Sequence, residues 1–135
     1  GRGMIVQDKR LGILAERSPQ NLKVKAVWDD VLKRVMAPET LPEALRDRKQ
    51  AALQTVTIEQ EISEGMTRLV TPIIVGGMAR GYLSLVGPMA ELDALDNLVV
   101  EQGALVCAVE MSRTKAVREA ETVLYSVGRY VNPPC

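Results

Sequence analysis

The sequence contains no histidine and no phenylalanine among its 135 residues. Without histidine, the usual catalytic triads, histidine-ligated metals and imidazole acid–base chemistry are excluded. Only one tryptophan and three tyrosines are present, too few to build the aromatic platforms that stack single-stranded nucleic acid. Leucine, valine, isoleucine, alanine and methionine must therefore fill the core.

Cysteine is also scarce. The chain has only two, Cys107 within a helical pattern and Cys135 at the last position. Two thiols so placed form neither a disulfide framework nor a zinc site. We therefore expect no metal and no cofactor, and we interpret Cys107 as a small helix residue in preference to a redox group. Catalysis by carboxylates or lysine is left open by the composition.

Neither charge sign dominates, since 17 Lys and Arg residues balance 17 Asp and Glu residues. The basic surface of a DNA- or RNA-binding protein is thus missing. No apolar run approaches the roughly 20 residues that span a bilayer, and no signal-peptide pattern begins the chain. We expect a cytoplasmic domain without membrane contact, long enough to bury its own core.

The clearest β pattern runs from Thr67 to Gly87, where two apolar runs flank Gly76-Gly77. Paired glycines supply the positive φ angles of a two-residue hairpin turn, so Val75 should pair with Met78. Strict alternation then places one set of side chains under a helix: Val70, Pro72, Ile74, Ala79, Gly81, Leu83 and Leu85. It places the other set on the opposite face: Leu69, Thr71, Ile73, Val75, Met78, Arg80, Tyr82, Ser84 and Val86.

The segments before this hairpin alternate between strand and helix patterns. The predicted elements are a hairpin of 4–8 and 11–15 around Lys9-Arg10, an amphipathic helix from Pro19 to Met36 carrying Trp28, a short helix or helical loop within 40–54, and a strand from Gln54 to Ile62. Pro72 cannot donate to a ladder, which predicts an edge or a locally unpaired strand there. We expect a further element to precede the first hairpin.

One helix of about 35 residues is predicted after Gly87-Pro88, from apolar residues spaced three and four apart. Its first half, with Leu95, Val99, Leu105, Val106 and Val109, is long enough to cover a sheet. Its second half projects with a narrower stripe that suits a partner helix. We therefore predict residues 1–112 as the folded domain, residues 113–135 as a projecting helix and tail, and a homodimer interface at Val117, Ala120, Val123, Leu124 and Val127.

In this order the elements resemble a GAF domain, specifically the GAF-like sensor of PucR-type (purine catabolism regulator) transcription factors. The residues that carry the resemblance are MIVQDKRLGILAE (4–16), RLVTPIIVGGMARGYLSLVG (68–87) and AELDALDNLVVEQGALVCAVEMSRTKAVREAE (90–121). They cover about half of the chain, and residues 19–60 show no match. The resemblance implies an α+β fold with a GAF/PAS-like antiparallel sheet, helices packed on one face, a small-molecule pocket and a long C-terminal helix. It also implies that DNA is bound only through a helix-turn-helix domain outside this chain.

The sequence departs from other GAF subtypes, because it lacks the Asn-Lys-x-Phe-Asp-Glu motif of cyclic-nucleotide binders and the Cys-His pair of bilin binders. We therefore expect an unidentified small-molecule effector and no enzymatic activity. Two alternatives stay open. One is a ligand-free GAF domain that only dimerises, and the other is a GAF enzyme that reduces methionine sulfoxide with its cysteines.

The candidate ligand residues are hydroxyls and cations on the hairpin face that the long helix should leave free. Buried hydroxyls need hydrogen-bond partners, and cations suit an anionic or carboxylated metabolite. Backbone groups of the covering segment could equally satisfy any one of these side chains. The predicted ligand-binding set is Thr71, Met78, Arg80, Tyr82, Ser84, Trp28 and Arg46.

Overall fold

The computed structural model describes the backbone of residues 2–20 and 22–131, and the side chains of this part except at 23, 117 and 124–131. Five antiparallel strands form one sheet in the order β2-β1-β5-β4-β3. Their bounds are β1 Gly3–Asp8, β2 Ile13–Arg17, β3 Ile58–Ser63, β4 Met66–Val75 and β5 Met78–Pro88. The predicted α+β class, with its antiparallel sheet, helices and long C-terminal helix, is confirmed.

The central hairpin of β4 and β5 turns at Gly76 and Gly77, whose φ angles of 61° and 76° need glycine. Val75 pairs with Met78 as predicted, but the register shifts one pair later, where Ile74 pairs with Ala79 and Ile73 pairs with Gly81. Arg80 is therefore the extra residue of a β-bulge, and every side chain beyond it changes face. The predicted division of the two faces is wrong from this point onward.

Four short helices cover one face of the sheet: α1 Leu22–Ala26, α2 Trp28–Met36, α3 Glu43–Arg46 and α4 Arg48–Gln54. The single helix predicted over 19–36 is thus two helices, interrupted at Val27. Trp28 opens α2 and packs in the core beside Ile5 and Val86. A 3-10 turn, Pro38–Thr40, follows α2, so Pro38 begins a tighter turn after the α-helix has ended at Met36.

The third predicted strand starts later than expected, at Ile58, because α4 extends to Gln54 and Thr55 ends it in the left-handed conformation. Ile58 pairs with Val70, the last residue of β4 that β3 reaches. Pro72 lies two residues beyond, where β4 pairs with β5 through Tyr82 but has no partner on its other side among the described residues. Of the two predicted alternatives, the structure therefore shows a local edge at Pro72.

The long helix α5, Ala94–Val131, covers the opposite face of the sheet. Its contact residues are small or slender (Val100, Ala104, Cys107, Ala108 and Met111), and they pack on Leu69, Ile73, Leu83 and Leu85. Leu83 and Leu85 lie under this helix as predicted, whereas Val70 lies on the other face. After Met111 the described side chains of α5 are exposed, and several of them up to Val123 line an open groove with β1 and β2.

Candidate functional site

The face under the short helices carries a diagonal band of buried polar side chains. Gln7 pairs across with Tyr82, Ser84 lies two residues further along β5, and Arg68 pairs across with Gln60. Arg68 is 1% exposed and Ser84 is 0% exposed. A band of this kind costs folding free energy unless its members are hydrogen-bonded, so each partner matters.

The band is tied to residues 35–45, which we call the cover segment, through three backbone carbonyls. Gln7 Nε2 donates to Val35 O at 2.9 Å, and Gln60 Nε2 donates to Thr40 O at 2.7 Å. Tyr82 donates its hydroxyl proton to Leu45 O at 3.3 Å. Neutral hydrogen bonds of about 1 kcal/mol each, spaced five residues apart, position the cover segment above the sheet.

Two polar groups of the band stay unpaired. Arg68 donates Nε to Gln60 Oε1 at 2.7 Å and Nη2 to Thr40 O at 3.3 Å, while its Nη1 has no partner within the described chain. Ser84 Oγ likewise has no partner among residues 2–20 and 22–131. Burial lowers the pKa of Arg68 to about 10, which leaves the guanidinium charged at neutral pH. The band therefore holds one positive charge and one hydroxyl with unused bonding capacity.

A cleft opens beside Tyr82, between the β1–β2 turn, the cover segment and α4. Its volume of about 580 Å³ falls within the range typical of small-molecule sites. Cationic side chains outnumber acidic ones four to one among its lining residues: Lys9, Arg10, Leu11, Pro38, Glu39, Leu41, Arg46, Arg48 and Tyr82. We call this the basic cleft, and its charge favours an anionic occupant.

Two of the three arginines of the basic cleft, Arg46 and Arg48, are held by main-chain oxygens. Arg48 Nε donates to Ala79 O at 2.8 Å, and Arg46 Nε donates to Leu41 O at 3.0 Å. These bonds fix the two side chains and leave further N–H groups of each guanidinium for another acceptor. Burial raises the pKa of Tyr82, and the charge of Arg48 acts in the opposite direction, so the phenol stays a neutral donor at physiological pH.

Replacing Tyr82 by Phe should lower the free energy of unfolding by about 1 kcal/mol, because the bond to the Leu45 carbonyl is lost in a buried site. Ser84→Ala is the matched comparison, since it removes a buried hydroxyl that makes no described bond. It should leave stability unchanged or slightly raised. Urea unfolding of both variants measures the difference, and a greater loss for Ser84→Ala would contradict the hydrogen-bond assignment.

The structure distributes the predicted ligand residues over both faces of the sheet. Tyr82 and Arg46 meet in the basic cleft, and Ser84 lies next to Tyr82 in the polar band. Thr71 faces α5, beside Ala104 and Ala108. The remaining three do not join the cleft, and they are Met78 at the hairpin turn, Arg80 in a groove between β1, β2 and α5, and Trp28, whose Nε1 donates to Glu16 Oε2 at 2.7 Å.

Sequence reasoning missed Arg68, Gln60 and Arg48. Arg68 begins an apolar strand, where a cation is typical of an exposed flank. Its pairing with Gln60 depends on the register of two strands, which local patterns do not provide. The run of charges at 46–49 does indicate the region, but periodicity alone assigns it to a solvated helix face.

The outward face of α5 is apolar over the same length that covers the sheet. Leu95, Val99, Val106 and Val109 are exposed, with Val106 at 67%. The predicted stripe of large apolar residues therefore faces away from the sheet, which is a correction to the expected packing. Spacings of four and three continue this face, which we call the outer seam: Leu95, Val99, Gln102, Val106, Val109, Arg113, Ala116, Ala120 and Val123.

Two of the five predicted interface residues belong to the end of this seam. Ala120 and Val123 are exposed on it, with Val123 at 61%. The side chains of Val117, Leu124 and Val127 lie outside the described residues. An unbroken four-and-three spacing on an exposed helix face is typical of a coiled-coil seam.

Searches with family models and against curated proteins found no match. Among solved structures, the chain is similar to one in the crystal structure of the E. coli DhaR(N)-DhaL complex, with a TM-score of 0.58 and 14% sequence identity. The match covers 99% of this chain and 48% of that chain, so the present chain spans about half of its length. At this identity the likeness concerns the fold.

Among residues 2–20 and 22–131, no helix is long and apolar enough to cross a membrane. In the same residues, no cluster of three or more His, Cys, Asp or Glu side chains could hold a metal ion.

Proposed function

We propose that this chain is a GAF-like regulatory domain that binds a small anionic effector in the basic cleft and dimerises through α5. The observation that carries the proposal is the basic cleft itself, with four cations beside a sheet whose polar band holds the cover segment. An effector in the cleft would contact this segment directly, and its binding energy could shift the segment between two positions. Such a domain senses a metabolite and passes the change on through a helix.

Two further observations support a regulatory setting. The fold is similar to that of a chain from the DhaR(N)-DhaL complex, which by its name is an assembly of two proteins. The second half of α5 is long enough to connect this domain to another one. The resemblance to PucR-type regulators supports a role in cytoplasmic transcription regulation, in which a separate helix-turn-helix domain would bind DNA.

Cysteine-based catalysis is disfavoured by the surroundings of Cys107. Its thiol is partly covered between α5 and the sheet, and burial raises its pKa. A thiol with a raised pKa is a poor nucleophile at neutral pH. We therefore propose a non-enzymatic role in preference to methionine-sulfoxide reduction.

Native mass spectrometry of the purified chain tests effector binding. We expect a small organic anion to copurify, visible as added mass that disappears on mild activation. Arg48→Gln should reduce the bound fraction several-fold, because it removes a fixed cation of the basic cleft. Lys49→Gln is the matched control, since Lys49 is exposed on the same helix and does not line the cleft.

Absence of any bound small molecule would favour the ligand-free alternative. A chain that carries no added mass, and that no organic anion stabilises against heat, would be a dimerisation domain with an empty cleft. Equal losses of bound mass in Arg48→Gln and Lys49→Gln would place the effector elsewhere on the surface.

A further inference from the structure

The buried guanidinium of Arg68 lacks any counter-charge in the described part of the chain. No carboxylate there comes within ion-pair distance, and both observed acceptors, Gln60 Oε1 and Thr40 O, are neutral. A charge that is removed from water without a partner costs several kcal/mol. Buried charges in proteins are normally paired, so an unpaired buried guanidinium marks a candidate site for an anionic ligand.

Arg68 lies directly behind one wall of the basic cleft. Its Nη2 donates to the carbonyl of Thr40, and the residues on either side, Glu39 and Leu41, line the cleft. The bond at 3.3 Å is long for a charged donor, which makes it easy to exchange for a better acceptor. The 3-10 turn Pro38–Thr40 therefore separates an unsatisfied buried cation from a surface opening lined by cations.

The unpaired hydroxyl of Ser84 lies on the same face of the sheet as Arg68. Ser84 pairs with Val70, and Arg68 is two residues from Val70 on the same face, so the two side chains are diagonal neighbours. Diagonal neighbours in a sheet stand about 7–8 Å apart at their Cα atoms. The Arg68 guanidinium is held toward β3 by its bond to Gln60, whereas Ser84 lies on β5 at the other side of β4. The two unpaired groups therefore do not form one site, and Arg68 carries the inference alone.

We propose that Arg68 binds the carboxylate of a small organic acid that enters through the basic cleft and replaces the Thr40 carbonyl on the guanidinium. The two Nη groups of an arginine match the two oxygens of a carboxylate, and one positive charge balances one negative charge. A phosphate dianion fits less well because Arg68 is the single cation of the polar band. This inference rests on the proposed effector role and names the chemistry of the effector.

Binding in this way releases the cover segment. Once the carboxylate occupies Arg68, the Thr40 carbonyl keeps only its bond from Gln60 Nε2. The turn at Pro38–Thr40 then moves outward to admit the ligand, while Gln7 and Tyr82 still hold the ends of the segment at Val35 and Leu45. The ligand thus replaces the hydrogen bond from Arg68 to a neutral carbonyl by an ion pair with a carboxylate. The shape of the cleft changes as a result.

The test follows the side-chain Nε–Hε resonance of Arg68 by NMR during titration of the whole chain with benzoate. We expect this resonance and the Leu41 amide to shift together, and benzamide, the neutral analogue, to move neither. Arg68→Met should weaken benzoate binding by at least about tenfold, as loss of a charged hydrogen bond predicts. Arg34→Met is the control, since Arg34 is exposed and pairs with Asp30 on α2.

The melting temperature of the free chain distinguishes a ligand-binding role of Arg68 from a structural one. Arg68→Met removes an unpaired buried charge, so the free chain should melt at the same or a higher temperature while losing its response to benzoate. Ser84→Ala should melt as the native chain does and bind benzoate with unchanged affinity, because Ser84 lies on the other side of β4 from the guanidinium. A large drop in melting temperature for Arg68→Met, with benzoate still shifting the Leu41 amide, would overturn the proposal.

Titrations with other anions can also refute the proposal. An Arg68 resonance that ignores benzoate and acetate refutes carboxylate binding, and one that responds to inorganic phosphate instead refutes the choice of anion. A neutral copurified effector in the basic cleft would refute the role of Arg68 while leaving the sensor function intact.

Discussion

Gly81→Ala is expected to lower the free energy of unfolding by on the order of 3 kcal/mol, an unusually large effect for one methyl group. A Cβ atom at Gly81 would lie 2.3 Å from the main-chain oxygen of Gln7. That oxygen belongs to the neighbouring strand β1, which pairs with β5 along its whole length. Relief of the contact therefore requires separation of two central strands.

Gly87→Ala provides the matched control in the same strand. The nearest atom to its added methyl group would be Arg2 Cδ at 3.1 Å, part of a flexible side chain that can move away. We expect a cost below about 1 kcal/mol there, measured like the first by guanidinium unfolding. Gly81→Ala should also weaken effector binding, because β1 carries Gln7 and leads to the Lys9-Arg10 turn. Equal stability of the two variants would refute this account of the β1–β5 contact.

The sequence predicts those elements whose signals are local. The hairpin turn at Gly76-Gly77 follows from two adjacent glycines between apolar runs, and the first hairpin follows from a charged tip between two short runs. The local edge of β4 at Pro72 follows from the missing N–H of proline. Each of these features depends on a few neighbouring residues, and the structure confirms each one.

The division of the sheet faces could not be obtained in this way. A single extra residue at Arg80 reverses the alternation of the rest of β5, and Arg80 has no sequence signal that distinguishes a bulge from an ordinary strand position. Tyr82 and Ser84 consequently lie with Val70 under the short helices, although strict alternation separates them from it. A site that depends on register requires the strand pairing to be known.

The side of α5 that faces the sheet could not be predicted from the sequence, for a different reason. Large residues such as Leu95 and Val106 give the stronger periodic signal, so they are assigned to the core. The sheet is instead covered by residues such as Ala104 and Cys107, because small side chains let a helix lie close to a strand pair. Two apolar faces on one helix indicate two partners, one of which is the sheet.

The proposed effector site and the outer seam are on opposite sides of the sheet. A carboxylate bound at Arg68 acts first on the cover segment, whereas α5 touches β4 and β5 from the other face. Strand β4 contributes side chains to both, with Val70 toward the cover segment and Leu69 toward α5. A shift of β4 is therefore the shortest physical connection between ligand binding and the helix.

Val99→Glu combined with Val106→Glu should convert a dimer into a folded monomer. Both residues face outward from α5, at 44% and 67% exposure, and neither packs on the sheet. In a parallel dimer each glutamate would face its own copy in an apolar seam, where like charges repel and lose hydration. Four such groups should raise the dissociation constant at least about a hundredfold, equal to roughly 3 kcal/mol.

Sedimentation velocity over a range of concentrations measures this change, and circular dichroism confirms that the variant is folded. The matched control is Asn97→Glu combined with Arg118→Glu, because both residues are exposed on α5 but lie outside the outer seam. Its dimer should persist. A native chain that sediments as a monomer at every concentration would refute dimerisation, and a dimer that survives both seam glutamates would place the interface on another surface. Loss of the dimer in both double variants would instead indicate sensitivity to charge along the whole helix, without a defined seam.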